Sequence, residues 1–371
     1  MKRRNFVAVT AGLAAAAPPS SASEDRQVIA AGDGIPHTAA GYAAQLARLS
    51  DGGNLHKDSY SRLGVVNELE RRVAAELGKE YAVWMPTGTL ANHLAVRLLA
   101  GEKRRVLMQA ESHLYNDCGD CAQTLSGLAM IPLAHGKAAF TLEEVEQAAS
   151  RAAGSRVAVP IGALQIESPV RRRQGERFDF ALMKKITAWA REHHVGTHLD
   201  GARIFLESAY TGIPVKEYAA LFDTVYVSMY KYFNAASGAV LAGPKALLED
   251  TYHIRRMFGG GLNEVWPFAA VALHHFDGFS ARYRKAVETS EAVIASLSAD
   301  RNFEVERVPN GTNIFRMRVR GVNALVYQQR LLLAGITVRD PANEWFSLQV
   351  NETWNRAGAA EITARFRKGL G

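Results

Sequence analysis

Thr197-His198-Leu199-Asp200-Gly201-Ala202-Arg203, and then Phe222-Asp223-Thr224-Val225-Tyr226-Val227-Ser228-Met229-Tyr230-Lys231, are the stretches around which this 371-residue chain is organised. Residues 195–199 read as a short buried strand that delivers Asp200 and Arg203 at its carboxyl end, the edge where open α/β sheets bind ligands. A second apolar run, 224–228, is followed at once by Lys231. An acid thus closes one strand, and a primary amine sits just past the next.

That pairing is what a pyridoxal 5'-phosphate (PLP) site requires. The amine condenses with the cofactor aldehyde, and the carboxylate keeps the pyridine nitrogen protonated so that the ring can accept electrons. By itself Asp-Gly-Ala-Arg is equally a turn after a core strand. The full string, however, resembles the threonine aldolase and β-eliminating lyase family, whose members carry His-Leu-Asp-Gly-Ala-Arg and then a lysine after a similar interval. The resemblance implies an α/β PLP-dependent fold of type I, with a large, mostly parallel sheet and a smaller C-terminal α/β domain. It also implies a homodimer or homotetramer with the site at the interface. The expected layout is a leader over 1–23, an N-terminal arm over 24–58, a large domain over 59–265 and a small domain over 266–371.

The composition is that of a globular enzyme, 48% hydrophobic and 22% charged. A chain of this length can bury a large core. The net charge of +7 is accompanied by no nucleic-acid-binding pattern. It reads as a solvated basic surface, densest at Arg171-Arg172-Arg173. At the start, Lys2-Arg3-Arg4 forms a positive n-region, 6–17 an apolar stretch, and Ser21-Ala22-Ser23 a small-residue cleavage site. Arg3-Arg4-Asn5-Phe6 looks like a twin-arginine export signal, which predicts a periplasmic enzyme delivered folded with its cofactor. The other reading is an uncleaved Ala-rich tail. The apolar run is too short for a membrane span. The two cysteines, Cys118 and Cys121, cannot supply a four-ligand zinc site, and no metal is expected. Their spacing on a helix strains a disulfide, and two small buried thiols are the default.

Upstream, 65–77 shows a helical apolar stripe. Residues 81–85 read as a strand, Pro86 to Thr89 as a tight loop and 90–99 as a helix. Thr87-Gly88-Thr89 therefore opens a helix, where free N–H groups and the positive dipole end favour a phosphate, although an ordinary N-cap has the same appearance. The loop resembles the family's Ser-Gly-Thr-x-Ala-Asn, with Ala91 and Asn92 intact. Residues 105–109 form the next strand, ahead of His113. By resemblance His113 stacks on the pyridoxal ring and serves proton transfer; alone, it would read as a satisfied loop histidine. Residues 163–168 read as another strand, in which Glu167 stands where the family has the acid of Glu-Asn-Thr-His-Asn, after which Ser168-Pro169-Val170-Arg171 abandons the pattern. His198 shares a strand face with Asp200; it either hydrogen-bonds near that carboxylate or packs. Ser228 and Ser237 are candidate phosphate donors or backbone partners. Tyr230 and Tyr232 flank the lysine and either transfer protons or pack.

Arg255-Arg256-Met257-Phe258-Gly259-Gly260-Gly261 resembles a basic segment that relatives send to the neighbouring subunit's phosphate, with Arg256 in that role. Relatives also place a late arginine on the substrate carboxylate, whereas Glu344 to Asn351 here contains none. Arg339 or Arg203 takes over, or the substrate lacks a carboxylate at that point. The activity implied is cleavage of the Cα–Cβ bond of a β-hydroxy-α-amino acid, with Lys231, His113 and Asp200 catalytic. Arg203 would steady the cofactor's phenolic oxygen or the substrate. The alternatives are elimination, racemisation or transamination at the same cofactor, and an exported PLP-binding protein without turnover.

Overall fold

The computed structural model describes residues 26–53 and 55–371. The expected leader, with its twin-arginine pair, lies outside the described residues.

Twelve strands are described: β1 (Val28–Ile29), β2 (Tyr81–Met85), β3 (Arg105–Gln109), β4 (Ala129–Leu133), β5 (Ile161–Glu167), β6 (Gly196–Asp200), β7 (Thr224–Ser228), β8 (Ala239–Gly243), β9 (Phe303–Arg307), β10 (Ile314–Val319), β11 (Ile336–Thr337) and β12 (Trp345–Gln349). Seven of them form one sheet in the order β2-β8-β7-β6-β5-β3-β4. The five from β7 to β4 run parallel, and β8 is antiparallel to both of its neighbours. Strands β5, β7 and β8 are buried at every position. This is why they read in the sequence as continuous apolar runs rather than as alternation: helices cover both faces of a parallel sheet. The helix Gly88–Ala100 crosses one face, packed on β5, β6, β7 and β8. On the sheet's far edge the antiparallel β2 is covered by the helix Gly64–Leu77.

A second, antiparallel sheet, β12-β10-β9, carries the smaller core. There β10 does alternate, with Phe315, Met317 and Val319 inward, as expected for a sheet with one wet face. The two cores meet inside the helix Phe279–Ser298. Its first half, with Phe279 and Tyr283, belongs to the large sheet's core, and Val293 and Leu297 belong to the small one. The core thus changes hands one helix beyond residue 265. Among the described residues, no helix is long and apolar enough to cross a membrane, and no cluster of metal-ligating side chains occurs.

The segment expected as an arm is stitched onto β11, with which β1 forms a two-stranded sheet, and onto β12 and the residues after it. Val28 and Ile29 pair in parallel with Ile336 and Thr337, Gln349 N–H donates to the Ala30 carbonyl at 3.0 Å, and Asn351 Nδ2 donates to the Ile29 carbonyl at 2.9 Å. From there the chain runs to the carboxyl edge of the large sheet, bringing Asp33 with it.

Candidate active site

The carboxyl ends of β5, β6 and β7 open into a cavity of about 500 Å³. His113, Asp200, Arg203 and Lys231, all predicted from sequence, line it together. Asp33, Glu167, Arg171 and Tyr230 complete its polar wall.

Asp200 is the last residue of β6 and is buried. Its Oδ2 accepts from Asn92 Nδ2 at 2.6 Å, and Oδ1 accepts from the Ala202 N–H at 3.2 Å. Asn92 Oδ1 in turn faces His198 Nε2 at 2.8 Å, and His198 Nδ1 faces Thr224 Oγ1 at 2.8 Å. Because the Asn92 amide donates to Asp200, its oxygen must take the proton of His198 Nε2, which leaves Nδ1 to accept from the threonine. Burial pushes His198 down to about 4, so the imidazole is neutral and suits that pattern. His198 therefore both packs and steadies the carboxylate, through Asn92.

Lys231 sits in the loop after β7. Burial first, and then the charge of Arg203, push its amine down to about 8 against the pull of Asp200, Asp33 and Glu167. Nζ lies 3.4 Å from the Tyr230 hydroxyl and 4.7 Å from the centre of its ring. The N-terminal segment fixes this loop from outside: Ile35 N–H donates to Asn234 Oδ1 at 2.8 Å. A Cβ on Gly34 would fall 2.2 Å from the Lys231 carbonyl oxygen, so only glycine permits the approach.

Arg203 is engaged from the same segment. Its Nε donates to Asp33 Oδ2 at 2.7 Å, with both side chains largely buried, and Asn313 Nδ2 donates to Asp33 Oδ1 at 3.2 Å. Burial works to raise Asp33, yet Arg203, Asn313 and Lys231 together hold it below the ordinary carboxylate value.

The expected loop 86–89 is shorter than predicted, because the helix already begins at Gly88. Thr87 caps the helix Gly88–Ala100, its side chain accepting from Leu90 N–H at 3.1 Å. A Cβ on Gly88 would lie 2.1 Å from the Tyr226 hydroxyl; Tyr226 stands opposite Asp200 in the sheet. Ser228 Oγ is buried without a hydrogen-bond partner, whereas Ser237 Oγ is committed to the Pro86 carbonyl at 2.9 Å. Thr89 Oγ1 receives the Cys118 thiol at 3.5 Å. Cys118 and Cys121 are free and only half-buried.

His113 opens a short turn after β3. Its backbone N–H donates to Glu167 Oε2 at 2.6 Å, and its Nδ1 lies 3.2 Å from Asp117 Oδ2. A hydrogen bond with Cys118, with help from Asp200 and Asp117, raises its affinity for a proton despite burial. Glu167 Oε1 accepts from the Arg171 N–H at 2.9 Å, so one buried carboxylate pins both segments; burial and the neighbouring Asp200 push its own pKa up. Ser168, which stands where relatives have an asparagine, donates to Glu207 at 2.6 Å and accepts from Phe178 N–H at 3.0 Å.

Residues 38–320 match the beta-eliminating lyase family. The chain belongs to that family. Over 207 residues it is 28% identical to the low specificity L-threonine aldolase of Saccharomyces cerevisiae, covering 55% of this chain and 53% of that protein. It is 30% identical over 206 residues to an alanine racemase of Cochliobolus carbonum, covering 55% and 52%. The chain spans about half the length of these curated relatives. In fold it is similar to a candidate L-allo-threonine aldolase of Listeria monocytogenes, with a TM-score of 0.76 and 24% identity over 94% of this chain and 97% of that one.

The family is PLP-dependent, and the residues present fit that cofactor. The orphaned Ser228 hydroxyl and the Gly88 backbone at a helix N-terminus are phosphate donors in waiting. Lys231 and the braced Asp200 share the cavity that would hold the ring. Arg256 stands apart: it is exposed on the helix Thr251–Met257, with its guanidinium 5.0 Å over the Tyr60 ring. Its neighbour Arg255 turns inward instead and donates to the Trp84 and Tyr60 carbonyls. Sequence reasoning missed Asp33 and Tyr226. The signal for the first was Gly32-Asp33-Gly34, a tight-turn signature inside an otherwise featureless arm. The signal for the second was a bulky phenol two residues before Ser228, on the strand that leads to Lys231.

Proposed function

We propose that this chain is an exported PLP-dependent lyase that cleaves the Cα–Cβ bond of a β-hydroxy-α-amino acid to glycine and an aldehyde. The observation that carries the reading is one cavity lined by a lysine whose amine is pushed down to about 8, a braced carboxylate and a histidine. PLP, when bound, supplies an electron sink for the carbanion left by bond cleavage. Lys231 would hold it covalently, with Asp200 at the pyridine nitrogen, and Thr87, Gly88, Thr89 and Ser228 at the phosphate. His113, oriented by Glu167 and Asp117, packs against the ring and accepts the substrate's β-hydroxyl proton. Tyr230, 3.4 Å from the lysine nitrogen, is placed to pass a proton to or from Nζ.

The test is incubation of the PLP-loaded protein with threonine, allo-threonine and phenylserine. Aldehyde release supports the reading, and none from any of the three defeats it. The likeness to an alanine racemase supports a second reading on the same residues, in which Lys231 and Tyr230 exchange the α-proton. Exchange in heavy water without aldehyde would select it. Export through the twin-arginine-like leader and assembly as a homodimer or homotetramer, with Arg256 reaching the neighbour's phosphate, belong to the same proposal. Cell fractionation and sedimentation of the wild type against R256A test them.

A further inference from the structure

We propose that Arg171 is the residue that grips the substrate's α-carboxylate. The assignment rests on the amino-acid lyase reading above. An amino acid entering this cavity brings an anion that must be met by a fixed cation, and the lysine and arginine side chains lining the cavity are Arg171, Arg203 and Lys231. The lysine is committed to the cofactor. Arg203 already shares its charge with Asp33, to which its Nε donates at 2.7 Å, whereas among the described residues Arg171 has no buried carboxylate against its guanidinium.

The region where relatives carry their late arginine is likewise spent. Gln349 Oε1 accepts from the Gly32 N–H at 2.6 Å, and Asn351 Nδ2 is shared among the carbonyls of the same N-terminal segment. Arg339 is exposed and does not line the cavity.

Arg171 differs in three respects. Its backbone is pinned by Glu167, the same carboxylate that pins His113. It lines the cavity with its side chain more than half exposed, and its carboxylate partner is Asp117 at a long 3.4 Å. That carboxylate is held more closely by Arg172 at 2.9 Å and by His113 at 3.2 Å, so its charge is already divided. Within the triplet, Arg172 also faces Glu111, and Arg173 pairs with Glu176; neither lines the cavity. Arg171-Arg172-Arg173 is therefore not uniform basic surface. One member lines the site, and a guanidinium there can offer two parallel N–H bonds to a carboxylate.

The experiment compares glycine with 2-aminoethanol, which keeps the amine and lacks the carboxylate, on PLP-loaded wild type, R171Q and R171K. Dissociation constants are read from the change in visible absorption. The wild type should prefer glycine by about 10- to 100-fold, the range for a hydrogen-bonded charged group. R171Q should bring that preference to within about threefold while binding 2-aminoethanol and PLP as before, and R171K should recover part of it. An unchanged preference in R171Q overturns the assignment, as does an equal loss of affinity for both amines. No spectral response to either amine in the wild type overturns the lyase reading itself, and the assignment with it.

Discussion

The lysine amine gives the sharpest handle on the site, because its environment converts into a stability that depends on pH. Lys231 titrates at about 8 in the folded chain against an ordinary 10.5, chiefly through burial and secondly through Arg203. At about 1.4 kcal/mol per pH unit, holding that ammonium in place costs the PLP-free fold at most about 3 kcal/mol at every pH below 8, where folded and unfolded chains both carry the proton. Water at the cavity screens the charge, which makes the figure a ceiling. Between pH 8 and 10.5 the unfolded chain keeps a proton that the folded chain has shed, so the cost disappears as pH rises. K231M retains the aliphatic stem and removes the amine. Urea unfolding of the PLP-free proteins should therefore find K231M more stable than wild type by up to about 3 kcal/mol at pH 7, narrowing to below about 1 kcal/mol at pH 10. A difference that does not change with pH, or a K231M less stable than wild type at pH 7, would refute the account of a cation held against its preference.

Three further outcomes follow from contacts on the other walls of the site. D33N leaves Arg203 buried without its counter-charge and should lower stability by about 3 kcal/mol in denaturant titration. Asp33's depressed pKa places the wild-type contribution above the ordinary carboxylate value of 3.8, with loss as pH falls through the lower folded value; the gap between the two proteins should therefore close in strong acid. G88A drives a methyl group into the Tyr226 phenol and should cost about 1–3 kcal/mol in denaturant titration; an unaffected variant would deny the contact. S228A removes a buried hydroxyl that has no protein partner, so the PLP-free protein should keep its stability while PLP binding, measured by equilibrium dialysis, weakens about tenfold.

Much of the large sheet was legible because its strands are buried on both faces and bounded by turns. Residues 81–85, 105–109 and 224–228 were read with their bounds as observed. Strand β4 escaped notice because it is an edge strand, half-exposed and interrupted by Pro132. Strands β9 and β12 escaped because charged and polar residues on their wet face break the apolar runs. The lysine, aspartate, histidine and the loop after β2 were legible for a different reason: each lies just past or at the end of one of the readable strands, so finding the strand found the residue.

Asp33 had no such anchor, and the reason lies in how the site is assembled. Its significance is created by Arg203 and Asn313, 170 and 280 positions away along the chain, separations that no local pattern encodes. The same few residues that carry Asp33 also touch the Lys231 loop through Gly34 and Ile35. They are tied at their start to the small sheet through the hydrogen bond from Gln349 of β12 to Ala30. The N-terminal segment is thus a strut between the small sheet and the two cations of the cavity. Any shift of the small sheet along this strut would carry Asp33 with it. That would loosen Arg203 and change the field at Lys231 together, because both cations feel that one carboxylate. The cavity's charge balance is therefore set partly by a segment whose own sequence reads as little more than glycine and alanine.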